Sequence, residues 1–211
     1  MKVLSHRGYW TDPAERNREV AFRRSFDGGF GLETDVRDLA GALVISHDMP
    51  AGGEMSFAAF LGLLGGRDLP LALNVKADGL AEPLVRAMAT AGVSDWFVFD
   101  MSVPDTLAYL DAGVPVYVRM SEVEPEGPLL ERAAGVWLDA FFGDWYGPDR
   151  IESLLGRGKR VCVVSPELHR RSYESLWQSL ERFSAHPGLA LCTDHPERAR
   201  VFFGGLQPSA R

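Results

Sequence analysis

Cysteine is scarce in this sequence of 211 residues, which contains only Cys162 and Cys192. Both lie inside apolar runs, VCVV and LALCTD, where a thiol usually behaves as a small hydrophobic side chain. The pattern argues against a disulfide or a cysteine metal ligand. We therefore expect two buried, unpaired cysteines.

Long apolar runs are absent as well. No stretch reaches the roughly 18 apolar residues of a membrane span, and the opening MKVLSHRG shows no extended apolar segment behind a basic start. We expect no integral membrane segment and a cytoplasmic protein.

Positive charge is in deficit, because 22 Lys and Arg stand against 29 Asp and Glu, for a formal net charge of -7. A surface that binds nucleic acid needs a concentrated basic stripe to displace counterions. The balance therefore disfavours nucleic acid as a partner.

The sequence also lacks low-complexity segments and internal linkers. Its 46% of hydrophobic residues can bury one substantial core. We expect a single domain over residues 1–203, followed by a flexible tail at 204–211. Nothing in the sequence indicates the oligomeric state.

What the sequence does contain is an alternation of strand-like and helix-like segments. Short apolar runs rich in Val, Leu and Phe cover residues 2–5, 31–36, 71–76, 96–100, 114–119, 135–139, 160–165 and 189–194. Apolar residues at helical spacing, or residues typical of a helix N-terminus, predict helices at 14–27, 56–64, 80–91, 104–110 and 172–184.

Strict alternation calls for parallel strands joined by crossovers, and eight repeats favour closure over an open sheet. The predicted fold is therefore α/β, a (β/α)8 TIM barrel, although the chain is shorter than the roughly 250 residues usual for that fold. The segment 122–128 has two prolines and three glutamates, which predicts a loop with only a short helix after it.

Catalytic side chains of a parallel barrel sit at the carboxyl ends of its strands. The first run ends in His6 and Arg7, and Gly8 then allows a sharp turn. The second run contains Glu33 and Asp35, which point to the same face because strand side chains alternate, roughly 6 to 7 Å apart.

Two inward carboxylates repel each other unless a cation or a proton compensates them. Oxygen ligands suit hard cations, so we expect Glu33 and Asp35 to bind one divalent ion, Mg²⁺ or Ca²⁺, with Mn²⁺ as an alternative. The competing interpretation is a solvated pair at a sheet edge.

A second imidazole follows when residues 43–46 lead into His47. Two histidines beside a metal suit acid–base work on a phosphodiester, and Arg7 can hold its phosphate with two hydrogen bonds. His6 and His47 are thus the candidate catalytic residues.

Later strand ends supply further candidates. The third run places Asn74 and Lys76 inward, with Asp78 beside them if the strand continues. Arg119 and Asp139 follow at strand ends, where they are candidates for substrate contact, or else for helix caps and ion pairs.

Two other groups are expected to be structural. Three histidines show no ligand spacing to one another or to a cysteine: His169, His186 and His195. An aromatic cluster is typical of core and lid packing: Trp137, Phe141, Phe142, Trp145 and Tyr146.

The polar residues resemble the signature of the glycerophosphodiester phosphodiesterase family, one of the phospholipase-C-like phosphodiesterase TIM barrels. That signature is a His-Arg-Gly opening, a Glu-x-Asp pair and a following His-Asp, and all three occur here in order. Further similarity is found at Asn17, Ala21-Phe22, Thr193-Asp194 and Pro196.

The resemblance implies metal-dependent hydrolysis of a small-molecule phosphodiester, similar to a glycerophosphodiester of lipid metabolism. It implies that a substrate hydroxyl attacks phosphorus, and that water opens the cyclic intermediate. It also implies roles: His6 and His47 as general acid and base, Glu33 and Asp35 as metal ligands, and Arg7 and Lys76 as phosphate contacts.

Three departures from the family pattern stand out. Asn74 replaces a third acidic ligand; its amide oxygen can still coordinate a hard cation, or Asp78 or the substrate phosphate supplies the charge. Arg16 stands where the family has an acidic residue, and the loop after His47 leaves little room for an inserted subdomain that commonly shapes the substrate pocket.

Three other functions stay open on the sequence. The same site suits a lyase or phosphoryl-transfer enzyme that stops at a cyclic phosphate. Asn74 suits a non-catalytic barrel that binds a phosphorylated polyol or sugar. Lys76 suits Schiff-base chemistry if it is desolvated.

Overall fold

Parallel strands alternate with helices along the part of the chain that the computed structural model describes, residues 1–204. The strands are β1 (Lys2–His6), β2 (Gly31–Leu39), β3 (Ala42–Ile45), β4 (Leu71–Val75), β5 (Trp96–Phe99), β6 (Tyr117–Met120), β7 (Gly135–Leu138), β8 (Arg160–Val164) and β9 (Leu189–Thr193). The helices are α1 (Glu19–Asp27), α2 (Phe57–Gly62), α3 (Ala81–Ala91), α4 (Val103–Asp111), α5 (Pro148–Gly156), α6 (Glu174–Leu180) and α7 (Pro196–Gly204).

The sheet runs in the order β5-β4-β2-β1-β9-β8-β7-β6. Its two edge strands meet at a parallel bridge between Val98 and Val116, which closes the barrel. Each of the eight predicted runs overlaps one of these strands, and the predicted (β/α)8 barrel is confirmed.

The ninth strand departs from the prediction of parallel strands. β3 pairs with β2 in the antiparallel direction, with Leu39 opposite Ala42. The two residues between them, Ala40 and Gly41, have φ values of 50° and 82°. Positive φ at both positions is the geometry of a two-residue hairpin turn whose twist matches its strands.

Several predicted boundaries shift for local reasons. The helix expected at 14–27 is divided into a 3-10 helix, Pro13–Glu15, and α1, because Asn17 adopts a left-handed φ of 56° between them. β6 begins at Tyr117 rather than at residue 114, since Pro115 has no N–H for the ladder. As expected, the segment after β6 contains only a short 3-10 helix, Pro128–Glu131.

The barrel interior is filled by one cluster of aromatic and smaller side chains. Phe97 stacks on Tyr117 with ring centroids 3.7 Å apart, and Phe99 stacks on Trp137 at 3.9 Å. Smaller side chains pack in the same cluster: Leu4, Ala72, Cys162, Val164 and Cys192. The two cysteines are buried and free, which confirms that prediction.

No helix within residues 1–204 has both the length and the apolar character to cross a membrane. Of the predicted tail, Gly204 ends α7. Residues 205–211 lie outside the described residues.

Two glycines should respond in opposite directions to alanine. A Cβ at Gly135 would lie 2.5 Å from the Arg160 carbonyl oxygen and 2.7 Å from the Tyr117 ring, whereas one at Gly62, in α2, meets nothing within 4 Å. Gly135→Ala should lower the free energy of unfolding by about 1–3 kcal/mol, and Gly62→Ala should raise it by up to about 1 kcal/mol. Urea denaturation measures both, and a neutral Gly135→Ala would contradict this packing.

Candidate functional site

Strand register brings the first set of polar side chains to one level at the barrel mouth. His6 on β1 pairs with Glu33 on β2, and Asp35 pairs with Asn74 on β4. Paired residues on neighbouring parallel strands lie about 4.8 Å apart and share a face. Four candidate residues therefore form one patch.

The chain turns sharply after β1, and this turn shapes the patch. Arg7 has a φ of 56°, and its N–H donates to the Glu33 carbonyl oxygen at 2.9 Å. Gly8 follows with a φ of 92°, and a Cβ there would lie 2.7 Å from the Ala21 methyl group. Glycine is thus required by both backbone conformation and close packing.

The two carboxylates are almost fully buried, with Glu33 2% and Asp35 0% exposed. Asp35 Oδ2 accepts a hydrogen bond from Asn17 Nδ2 at 2.8 Å and lies 3.2 Å from Arg7 Nε. Lys76 Nζ lies 3.7 Å from Asp35 Oδ1. Burial and the neighbouring Asp35 raise the pKa of Glu33 to about 7.

His6 is held by a residue from the far end of the chain. Its Nδ1 lies 2.8 Å from Asp194 Oδ1, and its Nε2 lies 3.9 Å from Glu33 Oε2. Arg16, the residue that departs from the family pattern, lies 3.6 Å from Asp194 Oδ2 and stacks 4.2 Å above the Trp10 ring. Arg16 thereby balances the charge behind the His6–Asp194 pair.

His47 approaches the mouth from the loop that follows β3. Its side chain is 44% exposed, and its Nδ1 lies 2.8 Å from Asp48 Oδ1. Arg37 Nε donates to the His47 carbonyl oxygen at 3.1 Å and fixes the loop. The antiparallel strand that the sequence did not predict is thus the element that positions His47.

A cavity of about 280 Å³ collects most of the candidate residues. Those lining it are His6, Arg7, Glu33, His47, Asn74, Lys76, Arg119 and Asp139. Asp35 lies behind this surface, since it has no exposed side-chain area. Asp78 lies outside the cavity: β4 ends at Val75, and the Asp78 carboxylate instead accepts the Ser102 hydroxyl at 2.9 Å.

The far wall of the cavity is a chain of ion pairs. Arg119 donates to Asp100 through Nε at 2.9 Å and to Asp139 Oδ2 through Nη1 at 2.8 Å. Asp139 Oδ1 also lies 2.7 Å from His169 Nε2. His169 also lines the cavity, although its sequence context gave no sign of this.

Sequence reasoning singled out Asp194 at the end of a strand but did not pair it with His6, and it expected His169 to be structural. Asp194 follows a strand directly, so its position offered a weak signal. His169 ends a 3-10 helix, Pro166–His169, and so short a helix has no periodic pattern from which it could be predicted. Their partners, His6 and Asp139, are 188 and 30 residues away in sequence.

The donor set at β2 and β4 fits a hard divalent cation. Asp35 Oδ1 and Asn74 Oδ1 are buried and accept no hydrogen bond, and Glu33 adds a carboxylate beside them. Oxygen atoms of this kind are the ligands of Mg²⁺ and Ca²⁺. Within residues 1–204 no three His, Cys, Asp or Glu side chains are grouped to hold a metal, and Asn74 contributes an amide oxygen to this set.

Glu122 anchors the loop that bears Phe141, another residue of the cavity wall. Its carboxylate accepts hydrogen bonds from the N–H groups of Phe141, Phe142 and Gly143 at 3.0, 2.8 and 3.1 Å. Partial burial opposes ionisation, but these three donors outweigh it and lower the pKa of Glu122 to about 2.

A depressed carboxyl pKa stabilises the fold above the ordinary pKa of 4.5, and this contribution disappears as pH falls towards 2. Glu122→Gln should therefore lower the free energy of unfolding by about 1 kcal/mol at pH 7, and the difference from the parent protein should shrink below pH 4.5. Denaturant titrations across that range measure it. Glu131→Gln, at a side chain 82% exposed, is the control; an equal loss there would contradict the anchoring role.

Comparison with known proteins gives structural similarity only. No family model and no curated protein sequence matches the chain. A glycerophosphodiester phosphodiesterase from Agrobacterium tumefaciens str. C58 superposes with a TM-score of 0.69 at 17% identity, over 98% of each chain. A phosphodiesterase from Oleispira antarctica, solved with the product sn-glycerol-3-phosphate, gives 0.68 at 15% identity, over 97% of each chain.

Barrels of other activities also match, including a phosphoribosyl anthranilate isomerase from Thermus thermophilus, with a TM-score of 0.52 at 17% identity over 98% of each chain. At such identities the likeness shows the fold alone.

Proposed function

We propose that this chain is a metal-dependent phosphodiesterase of the glycerophosphodiester phosphodiesterase type, which cleaves a small-molecule phosphodiester at the barrel mouth. One observation carries the proposal. A single cavity of about 280 Å³ brings together the side chains of five candidate residues: His6, His47, Arg7, Lys76 and the buried Glu33. The sequence motif and the similarity to two phosphodiesterase structures support it.

Arg7 and Lys76 provide positive charge for the phosphate. Lys76 Nζ lies between Asp35 and Asp100, at 3.7 and 3.9 Å, so it is held at the cavity without a short hydrogen bond to either. A phosphate can therefore replace these long contacts with charge-assisted hydrogen bonds.

The two histidines are suited to different halves of the reaction. Asp194 accepts from His6 Nδ1, which leaves Nε2 as the basic nitrogen towards the cavity. His6 then takes the proton of the attacking hydroxyl. The more exposed His47 donates a proton to the leaving oxygen.

Glu33, Asp35 and Asn74 are the residues that would hold the cation. When bound, it supplies charge neutralisation for the non-bridging phosphate oxygens. The raised pKa of Glu33 supports this assignment, because a nearby cation relieves the repulsion between two buried carboxylates.

The choice of leaving group should distinguish the roles of the two histidines. With an alkyl phosphodiester, His6→Ala and His47→Ala should each lower kcat on the order of 100 to 10,000-fold. With a nitrophenyl ester, whose leaving group needs no proton, the His47→Ala variant should have most of the activity of the parent protein. The His6→Ala variant should remain impaired. Steady-state kinetics with added Mg²⁺, Ca²⁺ or Mn²⁺ measure both.

His186→Ala is the matched control, since His186 lies outside the cavity. The proposal is wrong if the parent protein cleaves no phosphodiester in a broad panel, or if His6→Ala leaves kcat unchanged. Phosphorus NMR of the products distinguishes hydrolysis from release of a cyclic phosphate.

Metal affinity should depend on the charge at residue 74. Asn74→Glu adds a third carboxylate to the set, and it should tighten Mg²⁺ or Ca²⁺ binding on the order of tenfold. Isothermal titration calorimetry measures this without turnover. Gln178→Glu adds the same charge at an exposed, remote position and should not change affinity; equal effects in both variants would contradict the site.

A further inference from the structure

One side of the barrel is covered less than the rest. Within residues 1–204, the crossover from β6 to β7 is the only connection between neighbouring barrel strands without an α-helix, and it has the 3-10 helix Pro128–Glu131 instead. The outer face of β6 is therefore left partly open. An outer strand face in this fold is apolar and needs a cover.

The same side holds the weakest seam of the barrel. β5 and β6 meet through one bridge, Val98 to Val116, and Pro115 cannot donate a hydrogen bond. A cleft of about 640 Å³ opens beside this seam. Ligand-binding clefts of proteins typically measure about 300–1,000 Å³.

The walls of this seam cleft are mainly apolar. They include Val118 from β6 and Val116 just before it, Val103 from α4, and Leu129 and Leu130 from the 3-10 helix. Val103 is 66% exposed at the rim. Helix α4 also places the Thr106 hydroxyl at the cleft, but this hydroxyl already donates a hydrogen bond to the Ser102 carbonyl oxygen at 2.8 Å.

The seam cleft is continuous with the proposed active site. Three residues line both: Lys76, Asp100 and Arg119. Asp100 and Arg119 are paired with each other, with Nε to Oδ1 at 2.9 Å, so these two charges compensate each other where the phosphate position meets the apolar walls.

We propose that the seam cleft binds the apolar chain of an amphiphilic phosphodiester whose phosphate lies in the mouth cavity; this inference rests on the proposed function. From Arg119 to Val116 the strand spans about 10 Å, enough for an alkyl chain of medium length. A purely polar alcohol such as glycerol would leave these apolar walls exposed to water. An apolar chain would remove them from water, and this burial favours binding.

Binding of alkyl phosphate monoesters tests the cleft without turnover. Octyl phosphate should bind at least on the order of 30-fold more tightly than methyl phosphate in calorimetry, because each fully buried methylene contributes a factor of about 4. Leu129→Trp fills the cleft and should reduce this ratio to near one, with the affinity for methyl phosphate unchanged.

Two controls separate blocked binding from damaged folding. Leu107→Trp places the same bulk on α4 at a side chain 40% exposed that does not line the cleft, and it should keep the ratio. Val103→Asn should weaken octyl phosphate binding, whereas Val201→Asn, at a side chain 71% exposed on α7, should not.

The inference is overturned if octyl and methyl phosphate bind the parent protein equally, or if Leu107→Trp lowers the ratio as much as Leu129→Trp. These outcomes are independent of catalysis. Absence of phosphodiester cleavage with a preserved octyl preference would remove the proposed function and leave the apolar cleft in place.

Discussion

Repulsion between two buried carboxylates governs the barrel mouth. Glu33 and Asp35 lie two residues apart on β2 and are both nearly inaccessible to water, where an uncompensated charge is very unfavourable. Arg7, Asn17 and Lys76 surround Asp35, at 3.2, 2.8 and 3.7 Å. These three residues supply the positive charge and the hydrogen bond that the buried carboxylate pair requires.

This requirement also explains local backbone geometry. The left-handed conformation at Arg7 directs its N–H groups and side chain back towards β2, and Asn17 returns the chain so that its amide reaches Asp35. The Asn17 N–H then donates to the Arg7 carbonyl oxygen at 2.9 Å. The turns at Arg7 and Asn17 are thus linked to the same carboxylate.

The mouth has two halves of different character. The β1, β2 and β4 half carries the carboxylates, His6 and the free oxygen atoms that suit a cation. The β5 to β8 half is closed by ion pairs among Asp100, Arg119 and Asp139, with Phe141 packed 5.2 Å from the Arg119 guanidinium. The first half thus carries the candidate catalytic and metal-binding groups, whereas the second forms the opposite wall of the cavity.

The fold was predictable because its signals are local. Eight apolar runs separated by helical segments require parallel strands, and alternation along β2 places Glu33 and Asp35 together whatever the rest of the chain does. β3 escaped prediction because its turn has Ala40 at the first left-handed position, where glycine or asparagine is usual. Helix α5 escaped it because its buried face has only Ile151 and Leu154.

The candidate site was predictable where side-chain alternation sufficed, and not where contacts join distant segments. Strand alternation gives no information on Asp194 as the partner of His6, 188 residues away, or on His169 as the partner of Asp139. The expectation for Asp78 failed because the chain turns after Val75, so the alternation that places Asn74 inward no longer applies.

Backbone strain is distributed unevenly in this protein. Of the five non-glycine residues with positive φ within residues 1–204, Arg7, Asn17 and Asp100 lie at the mouth, and Arg170 directly follows His169. Such conformations are disfavoured for side chains with a Cβ and persist where the surrounding contacts impose them. Substitutions selected for heat resistance alone would relax these positions first and would alter the candidate site. A more stable variant is better sought in the helices on the outside of the barrel, where a more rigid backbone leaves the geometry of the mouth unchanged.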